Sequence, residues 1–382
     1  MTAAPFPSLH FFLVLRLLAF LSLLIATGRA QETTTTTVRR SFSHPGMLHS
    51  TAEIEFVKRK IVAGEEPWRY AWSELRKSKY AALGWRPRPR AEVERDQHHR
   101  HFGSNELGDD ALAAYTHALQ WALTRNAAHA RKSIEILNAW STQLKSIIGH
   151  DAKLLCGMTG YKFCNAAELL RHTGAPWPEA EQAKFRQMLT GIYLPIIRDF
   201  HREKHGSWDT SIIVTMMCIG VFCDDAETYH RAVEFFLKGD GPGALPNYVQ
   251  PSGQCQESTR DQGHAQRGLG YLADACEVAW KQGDDLWAAH DSRLARGFEY
   301  LARYNLGLEV PADGKISAEE RGRFRPIYEK VFRHYNGRKQ LEMPFTRRVL
   351  EKVRPEGAHW DHIPWGTLMF ANQPPDPAQP AR

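Results

Sequence analysis

The sequence predicts an all-α fold made of consecutive antiparallel helical hairpins. From Ser50 onward apolar residues recur at helical spacing, and no stretch alternates convincingly with period two. The helical stretches are joined mostly by short Gly, Asp and Pro joints, which is how αα-hairpins connect. No fixed-period signature repeats along the chain, which favours a closed ring of hairpins over an open solenoid.

The first thirty residues stand apart. Leu17 to Ala26 is apolar except for Ser22, with Arg16 before it and the small-x-small run Gly28-Arg29-Ala30 after it. That is the form of a signal peptide, and it sets the expectation of a periplasmic or secreted protein. The expected organisation is a signal peptide (1–30), a polar linker (31–43), one large domain (44–370) and a Pro-rich disordered tail (371–382). Six cysteines are present, without a C-x-x-C pair or zinc-finger spacing. They read as packing thiols with at most one bridge.

The helices follow in order. Ser50-Thr-Ala-Glu53 has the pattern of a capping box and starts a helix through Val62 that Gly64 ends. Pro67 opens the next, PWRYAWSELRKS. Ala81 to His101 is rich in Arg, Pro and His with no apolar period, so it reads as a long loop of the kind that covers or lines a site. Asp109–Thr124 and Ala127–Leu144 form a hairpin about the Arg125-Asn126 turn. Helices are then expected over Tyr161–His172, Pro178–Phe200, Trp208–Phe222, Ala226–Leu237, Glu257–Lys281, Asp284–Tyr304 and Arg321–Tyr335.

One helix start is chemically unusual. In QCQESTRDQGHAQRGLGY (254–271), helical spacing places Glu257, Arg260, His264, Arg267 and Tyr271 on one face. A helix that only packs would carry Leu, Ile or Ala there, yet the apolar stripe begins late, at Leu269, Leu272 and Ala273. The alternative is a solvated helix start in which Glu257 and Asp261 complement the dipole and Glu257 pairs with Arg260. The net charge of +6 is spread along the chain, apart from Arg86-Pro-Arg-Pro-Arg90 and His98 to His101. A weakly basic exported chain of this kind suits an anionic polymer and gives no nucleic-acid footprint.

HPGMLHS, EPWRYAW, the helix beginning Asp109-Asp110, LNAWSTQL, YKFCNAAELLRHT, HGSWDTS and ESTRDQGHAQRGLGYL, in this order, resemble the alginate lyase-like polysaccharide lyases. The similarity spans about His44 to Leu368. It implies an (α/α) toroid, an incomplete barrel of hairpins, that cleaves a uronic-acid polymer such as alginate by β-elimination. That reaction needs the C6 carboxylate neutralised, the C5 proton removed and the O4 leaving group protonated.

Arg260 is the candidate for the carboxylate, because guanidinium is permanently charged and binds bidentately. His264 is the candidate base, since imidazole changes protonation near neutral pH. Tyr271 shares the face and is a candidate proton donor, with plain packing as the alternative. In Lys204-His-Gly-Ser-Trp-Asp209, His205 and Ser207 fall where these lyases place a carboxylate-binding amide and a catalytic histidine, and Trp208 is a candidate sugar platform. Read as structure alone, Ser207 is an N-cap and Asp209 sits at the positive end of the next helix.

The chain departs from the better-known alginate lyases. They carry an Asn-His pair at this block and a Tyr six or seven residues after the Arg. Here no Asn-His occurs, Gln266 and Arg267 occupy the later places, and His205 and His264 are the natural substitutes. Further candidate substrate contacts are Tyr161, Asn165, Tyr335, Arg338 and His362, together with Glu257, Asp209, Gln266 and Arg267. The alternatives are a glycoside hydrolase using Asp209 and Glu257, or a uronate-glycan-binding protein without catalysis. His201 and His205 form an H-x-x-x-H pair without a third ligand, so no metal is predicted. No cofactor, no nucleic acid, no membrane contact after signal removal and a monomer are expected.

Overall fold

A computed structural model describes residues 1–2, 40–96, 101–203 and 205–373. The expected signal peptide beyond its second residue, most of the linker, His98 to Arg100 of the histidine cluster, Lys204 and the tail from 374 lie outside the described residues.

The expected all-α fold is what is found; the helices expected from Asp109 and Tyr161 start earlier, at Ser104 and Ala152, and those expected from Glu257 and Arg321 start later, at Gln262 and Tyr328. Among the described residues the α-helices of five residues or more are α1 (Thr51–Val62), α2 (Trp68–Lys77), α3 (Ser104–Thr124), α4 (Ala127–Gln143), α5 (Ala152–His172), α6 (Glu179–Met188), α7 (Gly206–Cys223), α8 (Ala226–Lys238), α9 (Gln262–Lys281), α10 (Ala289–Asn305), α11 (Tyr328–Phe332), α12 (Pro344–Val353) and α13 (Gly366–Phe370). Helices α3, α5, α7 and α9 pack side by side in chain order. Helices α4, α8 and α10 each pack back on the inner helix they follow, while α6 packs on α4 and its continuation Leu194–Ile197 packs on α5.

Local chemistry sets these elements. The Ser50 hydroxyl accepts from the Glu53 N–H and the Glu53 carboxylate accepts from the Ser50 N–H, so the capping box is complete. The α3–α4 turn forms as expected, with Arg125 in a left-handed conformation and Asn126 capping α4 through the Ala128 N–H. Helix α7 is long and apolar enough to cross a membrane, but it is buried in the ring and is a core helix. Its close approach to α5 requires Gly157, where a Cβ would lie 2.8 Å from the Ser211 Cβ.

The inner helices point the same way. His150, just before α5, meets Trp208 at the start of α7 (rings 5.5 Å apart), and the Ser207 N–H reaches Glu257, just before α9. At the other end, Trp121 of α3 donates to Thr173, just past α5. All the inner N-termini therefore open on one face, where the positive ends of the helix dipoles favour anions.

Two features were not expected. Residues Glu92–Glu94 form β1, paired in parallel with β2 (Ser146–Ile148), which ties the long loop to the start of α5. Three-residue strands leave too short an alternation to read. Residues 306–327, expected to be partly helical, are irregular, and α11 begins only at Tyr328. All six cysteines are free, five of them buried.

The far end of α9 carries a buried ionic cluster. Glu53 of α1 meets Lys281 (2.5 Å) and Arg333 (2.6 Å), while Glu277 meets Lys281 (2.9 Å) and Arg338 (2.9 Å). This is where the structure places Arg338 and Tyr335, whose hydroxyl donates to the Trp287 carbonyl. They lie about 20 Å along α9 from His264, at about 1.5 Å per residue. They are structural rather than sugar contacts, because a buried ionic network and a sugar cleft share the same composition of aromatics and donors.

Candidate active site

Helix α9 does not begin at Glu257. Glu257 lies in a 3-10 turn (Gln256–Thr259), Arg260 ends that turn, and Asp261 is the N-cap of α9 with extended backbone. The Asp261 Oδ1 accepts from the His264 N–H at 2.7 Å. The single helical face expected through Glu257, Arg260, His264 and Arg267 is therefore broken at Asp261. The polar run read as a helix because its turn and cap residues are as polar as an exposed helix start.

The break brings useful side chains together. Asp261 Oδ2 holds His264 Nδ1 at 2.5 Å and lies 3.7 Å from Arg260 Nε. Burial alone would push the Asp261 carboxyl up, but the bonds from the His264 ring and N–H outweigh it and hold the group down at about 2. The ring is thus oriented by an ionised carboxylate, and Nε2 has no hydrogen bond among the described residues. Such an imidazole can accept a proton at Nε2.

Beside it, Arg260 Nη1 is 3.5 Å from both Glu257 Oε1 and His205 Nδ1. Glu257 is buried. Its Oε2 accepts from the Ser207 N–H at 2.9 Å and the Tyr248 hydroxyl at 3.2 Å, and Oε1 lies 4.0 Å from His205 Nδ1. Side-chain exposure is 41% for Arg260, 34% for His205 and 22% for His264, against 1% for Glu257. Three solvent-facing cation-capable groups thus rest on two carboxylates below them.

His205, not Ser207, is the residue at the N-cap of α7, and it makes no capping bond. Ser207 lies within the first turn, buried, with its N–H on Glu257. The side-chain oxygens of Gln256 (3.2 Å to the Gly206 N–H) and Glu257 satisfy these helix-end donors from outside the helix. Gly206 is required here, since a Cβ would lie 2.5 Å from the Tyr248 ring. Trp208 is not an open platform: the His201 ring stacks on it at 4.2 Å and the residue is only 5% exposed. Asp209 is buried and accepts from the N–H groups of His201 (2.6 Å) and Arg202 (3.1 Å), fixing the loop that carries His205.

A second cationic group adjoins this one. Arg267, one turn after His264, pairs with Asp361 at 3.1 Å. Arg95, from the long loop, lies 3.6 Å from Asp151 and stacks on Trp360 at 5.4 Å. Burial, then the neighbouring Arg267, lower the Arg95 pKa. Arg95 was missed because nothing in its loop has a period. The signal that could have found it is the loop itself, which was read as lining a site.

The 360–362 loop seats this group between the inner helices. The Trp360 carbonyl accepts from Lys162 at 2.5 Å, and the Asp361 carbonyl accepts from Tyr271 at 2.7 Å and Tyr161 at 3.2 Å. Burial pulls the Lys162 ammonium down to about 7 against the pull of Asp361 and Asp274. Tyr271 and Tyr161 are fully buried and committed to a backbone carbonyl, so neither phenol is placed to reach a sugar oxygen. Asn165, which accepts from the Leu48 N–H, and Gln266, which donates to the Arg323 carbonyl, are also interior, as is His362.

A family model described as alginate lyase matches residues 65–310 of this chain. The chain belongs to the alginate lyase family. Among solved structures, alginate lyase A1-III from Sphingomonas species A1 is similar with a TM-score of 0.63 at 13% identity, over 87% of this chain and all of that one. An alginate lyase from Bacteroides ovatus gives 0.58 at 13% identity, over 87% of this chain and 100% of that one. A variant of A1-III complexed with tetrasaccharide gives 0.66 at 12%, over 86% of this chain and 97% of that one. At these identities the likeness shows the fold, the α/α toroid of a polysaccharide lyase family. No curated protein matches the chain in sequence.

Proposed function

We propose that this family member cleaves a uronic-acid-containing polysaccharide by β-elimination, with the chemistry at the N-terminal ends of α7 and α9. The observation that carries the reading is the Asp261–His264 dyad beside Arg260. A carboxylate-oriented imidazole with an open Nε2 lies next to a solvent-facing guanidinium. Arg260, with His205 beside it, binds the C6 carboxylate and takes up the negative charge that develops on it as C5 loses its proton. His264 Nε2 takes that proton, and its electron pair forms the C4–C5 double bond. The C4–O4 bond breaks with its electrons on oxygen, which receives a proton from His205 or water. Arg95 and Arg267 extend the positive rim for a neighbouring sugar acid, an inference drawn from their placement and from the tetrasaccharide held by the A1-III variant.

The hydrolase reading has less support. Asp209 and Glu257 are both buried and occupied by backbone N–H groups, so this pair is not placed to flank a glycosidic bond. The apolar run Leu17–Ala26 with its small-x-small end supports export to the periplasm or beyond.

The test is incubation of the purified chain with mannuronan, guluronan and glucuronan, following the ultraviolet band of unsaturated ends, with His264→Ala and Arg260→Ala in parallel. Elimination that both variants lose supports the site. Chain shortening without the ultraviolet band overturns elimination, and full turnover in both variants overturns the assignment. Uronate binding without any cleavage overturns the catalytic reading.

A further inference from the structure

A second cluster lies at the opposite end of the ring. His44 comes from the segment before α1, Glu168 and His172 from the last turns of α5, and Asp224 from the end of α7. His172 is 20 residues beyond the first residue of α5, so the cluster is about 30 Å from the catalytic end at about 1.5 Å per residue. The ligand atoms of His44, Glu168 and His172 all lie within 4.8 Å of one another.

The internal bonding of this cluster is incomplete. Glu168 Oε1 accepts from His44 Nδ1 at 2.8 Å and from the Gly46 N–H at 3.0 Å. Glu168 Oε2 and His172 Nε2 face each other at 3.6 Å, too far for a hydrogen bond, and each is buried without a partner. Glu168 is only 2% exposed, so this unsatisfied oxygen has no solvent to compensate it.

The Glu168–His172 pair has a spacing close to that of two ligands on one ion. Two atoms each about 2.0–2.1 Å from a tetrahedral zinc stand about 3.3 Å apart, close to the 3.6 Å observed. His44 is also braced from behind. Its second ring nitrogen, Nε2, is 3.3 Å from Asp224 Oδ1, the carboxylate–histidine arrangement that fixes a metal-binding tautomer. The His44 and His172 rings stack at 4.2 Å with planes 10° apart, so closing on an ion requires them to splay. His172 is free to do this, because its Nε2 is unbonded and its side chain is 22% exposed.

The geometry points to a zinc-class divalent metal site formed by His44 Nδ1, Glu168 and His172 Nε2, with Asp224 orienting His44. Two imidazoles and one carboxylate select zinc-like ions over calcium or magnesium, which favour all-oxygen shells. The ion clips the segment before α1 to α5, and its distance from Arg260 and His264 gives it no part in elimination. No metal is predicted from sequence, because His44 and Glu168 are 124 positions apart.

The experiment uses the chelator-stripped purified chain loaded with zinc sulfate, desalted and assayed for metal content. Thermal melting and the visible ligand-field absorption of a cobalt(II)-loaded sample are read alongside. Retention of one zinc per chain, a higher melting temperature with zinc and none with calcium or magnesium, and tetrahedral cobalt bands are expected. His172→Ala, at a partly exposed position, is expected to keep the metal-free melting temperature and bind zinc at least about tenfold more weakly. Asp224→Asn, which removes only the brace, is expected to lose about 10- to 100-fold in affinity. No retained zinc, or equal retention in wild type and His172→Ala, overturns the site. Either result leaves the elimination reading intact, since that is measured by product absorbance.

Discussion

Replacing Asp261 by Asn separates two jobs done by one side chain. As N-cap, Asp261 accepts from the His264 N–H, and Asn caps about as well, so little of that contribution is lost. As a charge, Asp261 orients the His264 ring and neighbours Arg260 Nε, and Asn removes that charge. Its carboxyl is held at about 2 against an ordinary 3.8. A gap of ~1.8 at ~1.36 kcal/mol per tenfold change is ~2.4 kcal/mol, and solvent screening through the partly exposed Arg260 and His264 beside it reduces this to on the order of 1 kcal/mol. Because the folded pKa is depressed, this stability is present above about pH 4 and is lost as pH falls toward about 2. Urea denaturation at pH 6 and pH 3 therefore gives a wild-type acid loss of on the order of 1 kcal/mol more than the variant shows. In the elimination assay kcat/KM falls by about 10²-fold or more, the contribution of a well-oriented general base. Asp261→Ala, which also removes the cap, costs about 1 kcal/mol further at pH 6. Wild-type kcat/KM in Asp261→Asn, or an unchanged acid limb, refutes the dyad.

Three other substitutions test separate parts of the reading. Arg260→Lys keeps the charge but loses the planar fork, so kcat/KM drops about 10- to 100-fold with an unchanged melting curve; full activity shows that bidentate binding is not used. Tyr271→Phe removes one buried hydrogen bond to the Asp361 carbonyl, lowering stability by about 0.5–1.5 kcal/mol in urea while kcat is retained. Loss of kcat at unchanged stability would instead make this phenol the acid. Lys281→Met leaves Glu53 and Glu277 short of one cation in the interior, and denaturant midpoints should report about 3–5 kcal/mol of destabilisation with normal turnover per folded molecule. A midpoint equal to wild type would mean that Arg333 and Arg338 suffice.

The helices were legible because burial of one stripe imposes a period that survives in the sequence, and caps such as Ser50 and Asn126 mark their starts with the chemistry they need. The candidate site was legible only in part. Arg260 and His264 stood out because charge and amides displaced the apolar stripe. Asp261 was read merely as favourable to the dipole, yet its cap geometry is what joins the two. Arg95 was illegible, since a parallel ladder between Glu92 and Ser146, far apart in sequence, brings it to the rim. Tyr335, Arg338 and His362 were misread for the opposite reason: polar and aromatic side chains sit together both where a ligand binds and where a buried network closes. Local composition does not separate the two cases, and burial does.

The ionic knot at the tail of α9 bears on how the molecule is completed. Its anions belong to residues 53 and 277 and two of its cations to residues 333 and 338, so it joins the first helix among the described residues to a segment about 280 positions later. A nascent polypeptide that stops short of Arg333 leaves both carboxylates with Lys281 alone, in surroundings that exclude water. Shortened products therefore lack two of the three cations that link α1 to α9.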